Sequence, residues 1–228
     1  MPKLPRRNVL AGAGALGLGA LFPGAAKASP LTPSSPVAAR RLLTGGVCPM
    51  VLQQIQGPFY LDLGLIRDDI TEGLPGLPVT LIFLVVDKDT CQPIPGAVVD
   101  VWQNNALGNY SGFSVKGTLG ETWLRGIQIA NSDGLVVFQS IYPGWYQGRT
   151  THIHLKVRPD ETTEATTQMY FEDWISDLVY QNVPPYTQKG PKDTTNDADG
   201  FYQKEMKGTF LPNPDGSLSL WAGTILGV

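Results

Sequence analysis

Histidine is nearly absent from this chain: 228 residues hold only two, alongside two cysteines. That count excludes any site needing three imidazoles from one chain. Charged residues are sparse at 16%, with 17 Lys+Arg against 20 Asp+Glu and a formal charge of −3. The body of the chain has no basic cluster, which argues against nucleic acid as a partner. Helix-compatible stretches are few, and neither an internal repeat nor a βαβ alternation is visible. The one extended apolar run is too short and too glycine-rich to read as a membrane span. What the sequence does have is turn material, 26 Gly and 19 Pro, with 42% hydrophobic residues. At this length the combination describes one β-rich domain or a cramped pair, with ample material for a core and many short elements.

The first 28 residues carry Lys3, Arg6, Arg7 and Lys27 and no acid, around a small-residue apolar run from Val9 to Ala26. A basic start, a short apolar middle and an Ala26-Lys27-Ala28 ending describe a cleavable export signal over 1–28. Arg6-Arg7 ahead of Asn8-Val9-Leu10 resembles the bacterial twin-arginine signal, with an ordinary secretory signal as the alternative. The mature chain, released near Ala28, is expected to be periplasmic or secreted and to have no membrane span. It keeps 13 basic against 20 acidic residues, a formal charge of −7, and gains nothing from anionic membranes. In an oxidising compartment Cys48 and Cys91 can pair. Closing a loop of about 43 residues contributes roughly 4 kcal/mol in the chain-entropy model. Two buried free thiols are the other reading.

Residues 29–55 are expected as a flexible arm, Pro-, Ser- and Gly-rich at its start, and 56–228 as the folded domain. Pro78–Asp87 is a continuous apolar strand and Ala97–Gln103 alternates. Arg125–Ala130, Leu135–Ser140, Thr151–Val157 and Thr166–Phe171 follow at the spacing of a β-sandwich. Asp133-Gly134 marks a tight turn, and Ser217–Gly227 supplies a closing strand or hairpin. Asp173–Asn182 can form a short helix that ends before Pro184-Pro185. The predicted fold is all-β: an antiparallel β-sandwich with long active-site loops and little helix.

Both histidines fall in His152-Ile153-His154-Leu155-Lys156-Val157. On a strand, residues i and i+2 share a face, so the imidazoles project together while Ile153, Leu155 and Val157 face the core. Two neutral imidazoles on one face are half of a metal site; taken alone, an H-x-H of satisfied or exposed histidines is an equal reading. Just upstream, the turn-rich Tyr142–Arg149 segment returns the chain beside the histidine strand, and Tyr110 follows the Ala97–Gln103 strand. Phenolates are hard anionic donors, and a trivalent iron lowers a tyrosine pKa far below its free value near 10. Periodicity does not select Tyr110 and Tyr146 from the eight tyrosines.

The selection comes from a resemblance that covers roughly two thirds of the chain, from Gly57 to about Tyr202. Gly57-Pro58-Phe59-Tyr60 resembles a G-P-[FY]-[FY] entry motif. Asp100-Val101-Trp102-Gln103-Asn104-Asn105-Ala106-Leu107-Gly108-Asn109-Tyr110 is similar to D-[IV]-W-Q-x-N-A-x-G-x-Y. Arg125-Gly126-Ile127-Gln128 and Asp133-Gly134 follow. Pro143-Gly144-Trp145-Tyr146, Arg149 and His152-Ile153-His154 then match P-G-x-Y…R-x-x-H-I-H, and Thr167-Gln168-Met169-Tyr170-Phe171 matches T-Q-[ML]-Y-F. Together and in this order they resemble the intradiol ring-cleavage dioxygenases, and the W-Q-x-N-A form looks closer to the iron-bearing subunit of protocatechuate dioxygenases than to the W-H-x-D-A form of other intradiol relatives.

The resemblance implies one Fe(III) per chain held by Tyr110, Tyr146, His152 and His154, with Tyr110 and His152 equatorial and Tyr146 and His154 axial. It implies a catechol and O2 as substrates and a cis,cis-muconate-type product. In that family pattern Tyr146 leaves the metal with a proton, Arg149 stabilises developing negative charge, and Gln168 hydrogen-bonds beside the metal site. It also makes association of identical chains an expectation. Without the resemblance, Arg149 reads as the partner of a surface carboxylate, Gln168 as a polar strand position, and Tyr142 as a rival to Tyr146. Two other functions compete: a ferrous site of two histidines and one carboxylate, and a non-catalytic β-sandwich binding module. Gly57–Leu65 and Tyr110–Thr122 are the expected pocket-lining loops; which catechol they admit is not legible.

Overall fold

A computed structural model describes residues 51–212 and 220–228. The expected export signal, most of the expected arm, Cys48 and the start of the closing strand lie outside the described residues. Cys91 is disulfide-bonded.

The elements are β1 (Pro78–Val86), β2 (Val98–Trp102), β3 (Arg125–Ile129), β4 (Leu135–Ile141), β5 (His152–Arg158), β6 (Ala165–Tyr170), α1 (Asp173–Asn182), β7 (Thr209–Pro212) and β8 (Leu220–Gly227). Among the described residues the regular elements are thus mainly strands, eight of them with one α-helix. Two four-stranded sheets form, in the orders β4-β1-β8-β7 and β3-β2-β5-β6. The second sheet is antiparallel throughout.

The first sheet corrects the all-antiparallel expectation, because β1 and β8 run parallel, with Val79 opposite Leu220 and Val86 opposite Gly227. The physical reason lies in β1 itself. Its side chains are buried on both faces: Val79, Leu81, Phe83 and Val85 enter the main core, while Ile82, Leu84 and Val86 pack with Leu135 and Ile225 in a separate cluster. A strand covered on both sides needs no alternation and accepts a parallel neighbour. The direction of that neighbour is not written in the strand's own pattern.

The main core joins alternate residues of both sheets. Val99 and Val101 from β2 and Ile153, Leu155 and Val157 from β5 share one cluster with the inward residues of β1 and with Val136 and Phe138 of β4. Such a shared core is compatible with a β-sandwich. It leaves the other face of the second sheet for chemistry.

Residues 51–55, counted with the arm in the sequence, belong to the packed structure. Val51 is buried and its N–H donates to the Gly227 carbonyl at 2.8 Å; the Gln54 N–H donates to Thr166 at 2.8 Å. The Gln53 side chain accepts from the Thr166 N–H at 3.0 Å. Backbone pairing to β6 and β8 ties these residues to the domain.

Candidate metal centre

The strand β5 lies between β2 and β6, and its register assembles one row across the second sheet. Arg125 stands opposite Trp102, Trp102 opposite His154, and His154 opposite Gln168. Directly opposed residues share a face, so this row and His152 occupy the face turned away from the main core. Trp102 stacks on the His154 ring at 4.9 Å and 8°. The two imidazole centroids are 4.9 Å apart.

Two long loops bring the tyrosines to that face. The loop after β2 turns on Asn105, whose Oδ1 accepts the N–H groups of Leu107 and Asn109, each at 3.0 Å. This Asx-type turn delivers Tyr110, and Thr118 Oγ1 holds the Tyr110 carbonyl at 2.6 Å. The loop after β4 carries Tyr146 and Arg149. The two loops meet backbone to backbone: the Gly144 N–H donates to the Asn105 carbonyl at 3.1 Å. Lys189 Nζ then bridges the Leu107 and Trp145 carbonyls at 3.0 and 2.5 Å.

The four sequence-predicted ligand residues converge. Ring centroids lie 5.9 Å apart for Tyr110 and Tyr146, 6.3 Å for Tyr110 and His154, and 5.5 Å for Tyr146 and His152. Tyr146 Oη is 3.3 Å from His152 Nε2. Tyr110 is enclosed and Tyr146 only partly buried. Phe59 stacks flat on Tyr110 at 4.3 Å and meets Phe113 edge-on at 5.3 Å. Tyr142, the rival to Tyr146, points elsewhere: its hydroxyl pairs with Ser176 at 2.8 Å and its ring packs on Phe171.

Protonation states follow from burial. His152 Nδ1 donates to the Thr150 carbonyl at 2.7 Å, which leaves Nε2 as the free lone pair. Burial pulls the His152 pKa down to about 3, helped by the Arg149 charge. Burial, with His152 and Arg149 nearby, holds His154 well below its ordinary value. Both imidazoles are therefore neutral at pH 7, the form that binds metal. Burial raises the Tyr110 phenol well above its usual value and also raises Tyr146, against the opposing pull of Arg149. Neither phenol ionises here without a strong cation. Tyr110 Oη and His154 Nδ1 are buried with no hydrogen-bond partner, an expensive omission unless another partner is intended. Two oxygen and two nitrogen donors so placed fit a hard trivalent ion.

Arg149 and Gln168 join the group. Arg149 Nη1 donates to Tyr146 Oη at 3.3 Å and Nη2 to Gln168 Oε1 at 2.5 Å. Its Nε donates to Asp199 Oδ2 at 2.8 Å. Burial disfavours the guanidinium charge, but Tyr146 and Asp199 outweigh it and hold the pKa above its ordinary value. Asp199 and Lys189 were not singled out from sequence; each lies 44 or more residues from its partner here, and neither sits in a motif. Among the described residues, no group of three or more His, Cys, Asp or Glu side chains is placed to hold a metal. An apolar groove of about 1050 Å³ between α1 and β7 is lined by none of the site residues.

A second buried acid lies on the same face. Asp100, opposite Lys156, is 5% exposed and accepts from Tyr60 Oη at 2.9 Å. Burial pushes its carboxyl up to about 6, whereas an unfolded chain titrates near 3.9. The fold thus binds this proton more tightly. The group's contribution is fully present below about pH 4 and is lost as pH rises through about 6. Asp100→Asn keeps an acceptor for Tyr60. It is expected to exceed the parent's stability at pH 7 by on the order of 2 kcal/mol, and to converge with it near pH 4, in urea midpoints.

A family model described as Dioxygenase matches residues 55–183, more than half of the chain, so the chain is a member of that dioxygenase family. The solved intradiol ring-cleavage dioxygenase of Tetranychus urticae is 30% identical, aligned over 79% of this chain and 94% of that one with a TM-score of 0.71. The chain belongs to the intradiol ring-cleavage dioxygenase family. Among curated relatives, a chlorocatechol 1,2-dioxygenase of a Pseudomonas species is 29% identical over 159 residues, 58% of this chain and 60% of that protein. Catechol 1,2-dioxygenase 1 of Acinetobacter lwoffii is 28% identical over 166 residues, 59% of this chain and 53% of that protein. The chain spans little more than half the length of these two relatives. Among the described residues, no helix is long and apolar enough to cross a membrane.

Proposed function

We propose that the chain is a non-haem Fe(III) dioxygenase that cleaves a catechol between its two hydroxyl-bearing carbons, with one iron held by Tyr110, Tyr146, His152 and His154. One observation carries the reading: two phenols and two neutral imidazoles converge in a buried site where Tyr110 Oη and His154 Nδ1 have no hydrogen-bond partner. A bound ferric ion supplies Lewis acidity that makes a chelated diol reactive toward O2.

The chain's own residues supply position and proton handling. Phe59 and Phe113 form an apolar wall suited to a flat ring. Tyr146, the more exposed phenol, can take the proton of a substrate hydroxyl on its Oη while that oxygen stays on Arg149 Nη1. Arg149 keeps a positive charge close to the reacting ring, where negative charge builds up. Gln168 anchors the guanidinium from the strand beside His154. Catechol and chlorocatechol, the diols in the relatives' names, are the first substrates to try.

Export through the signal at 1–28 and a periplasmic or secreted location belong to the same reading. The disulfide at Cys91 supports it, since such bonds persist in oxidising compartments. The ferrous alternative finds no support, because no carboxylate completes a cluster with the two histidines among the described residues.

The test is a visible spectrum with iron analysis on the purified chain, before and after anaerobic addition of catechol. A tyrosinate-to-iron absorption band at one iron per chain that moves with catechol is expected. A chain that stays colourless and takes up no iron is a binding module. Colourless, iron-dependent turnover returns the ferrous site.

A further inference from the structure

The guanidinium of Arg149 has three nitrogens, and each meets a different acceptor. Nη1 faces the Tyr146 oxygen, Nη2 faces Gln168, and Nε faces Asp199. Asp199 comes from far along the chain, in a turn-like Asn-Asp-Ala-Asp-Gly stretch, where it directly follows the 3-10 turn Asn196–Ala198. Composition reads that stretch as solvated surface. The Asp199 side chain is instead 0% exposed.

The way the carboxylate is used is informative. A carboxylate that only neutralises an arginine commonly takes two parallel N–H groups of the fork. Here Oδ2 accepts one N–H from Arg149, at 2.8 Å, and one from the Thr150 backbone, at 2.9 Å. Oδ1 accepts the Phe201 N–H at 2.9 Å. Both Nη groups stay free for the site.

The surrounding segment is pinned as well. Asn196 accepts from Thr150 Oγ1 at 2.7 Å and donates to the Phe171 carbonyl at 2.9 Å. The Tyr170 hydroxyl donates to the Phe201 carbonyl at 2.6 Å, and the Phe201 ring lies 4.8 Å from the guanidinium. A guanidinium is planar and rigid. Once Asp199 fixes Nε and Gln168 fixes Nη2, the direction of Nη1 is determined.

We propose that Asp199 is a positioning residue for the ring-cleavage site, aiming Arg149 Nη1 at the Tyr146 oxygen. The assignment rests on the function proposed above and adds a residue from the C-terminal part of the chain to the site. Asp199 touches no reacting group; among its partners Arg149 is the one that meets the Tyr146 oxygen. The Arg149–Asp199 pair therefore behaves as one unit, and effects of its two members do not add.

The experiment uses the iron-loaded chain with Asp199→Ala, Arg149→Gln and the double variant. In the parent background, Asp199→Ala is expected to lower kcat on the order of 100-fold, the effect of a misaimed group, with KM changed by less than about 3-fold. Iron stays at one per chain. The tyrosinate-to-iron band moves to longer wavelength, because Tyr146 loses its Nη1 donor. In the Arg149→Gln background, adding Asp199→Ala changes neither kcat nor the band.

Equal losses of kcat in both backgrounds, or an Asp199→Ala variant with the parent's kcat and band, overturn the assignment. If Asp199→Ala fails to fold because it leaves a buried arginine unpaired, the double variant decides, since it buries no unpaired charge. A double variant matching Arg149→Gln in kcat and band supports the assignment, and a further loss overturns it. A parent that takes up no iron and turns over no catechol overturns the proposed function and this assignment with it. An active parent with an indifferent Asp199 overturns the assignment alone.

Discussion

Tyr110→Phe is expected to give a folded protein that is no less stable than its parent without metal, yet fails to hold iron. The hydroxyl it removes is buried and has no hydrogen-bond partner, and such a group costs about 1–3 kcal/mol when left unsatisfied. The ring itself stays, stacked on Phe59 at 4.3 Å, so packing is preserved. If Tyr110 is an anionic donor to the metal, its loss removes several kcal/mol of metal-ion catalysis, roughly a thousandfold or more in turnover. Thermal melts with and without iron, together with iron content, separate the two effects. A metal-free midpoint equal to or above the parent's, with the iron-dependent rise abolished, is the predicted pattern. One iron per chain with the parent's absorption band would remove Tyr110 from the ligand set. Tyr146→Phe likewise should change both colour and catechol turnover strongly; no change in either would sink its assignment.

Gly108→Ala is expected to damage fold and site together. Gly108 has φ +81, and a Cβ there would sit 2.0 Å from the Trp145 carbonyl oxygen and 2.5 Å from Lys189 Nζ. The carbonyl is backbone and cannot rotate away; the lysine is already committed to bridging the two loops. Overpacking and left-handed strain together cost about 2–5 kcal/mol, visible as a lower urea midpoint. The damage lands on the metal centre because Tyr110 lies two residues beyond Gly108 and Tyr146 directly follows Trp145. Iron uptake should therefore fall with stability. Gly148→Ala is the control: it has φ +79 but nothing within 4 Å of an added Cβ, so it carries only backbone strain of about 1–2 kcal/mol and should keep iron. If Gly108→Ala matched this control in both measurements, close loop contact would not be what holds the tyrosines together.

Much of this molecule is legible locally. The alternation of Ile153, Leu155 and Val157 with His152, His154 and Lys156 predicts which face enters the core, and those three apolar residues are in it. The helix over Asp173–Asn182 has the expected ends, bounded by the prolines that follow. The ordered motifs nominate the four ligand residues and Arg149 with Gln168, and the fold brings all six together. Periodicity, turn residues and motif order are short-range signals, and these features depend on short-range rules.

Other features are settled only by contacts between distant segments. The parallel pairing of β1 with β8 joins residues 141 positions apart, and no property of either strand alone specifies its partner's direction. The short strand β7 and the anchoring of residues 51–55 likewise exist through their partners. Gln168 lies opposite His154 because β6 pairs with β5 in one register, and a slip of one residue would turn it to the other face. Asp199 becomes a buried partner of Arg149 only because the chain returns to the loop before β5 fifty residues later. By itself the sequence determined the donor types, the strand faces and the family pattern, since each is carried by residues within a few positions of one another. Tertiary structure decided which neighbour each strand takes and which distant carboxylate aims the arginine, because long-range contacts of this kind leave no local pattern to read.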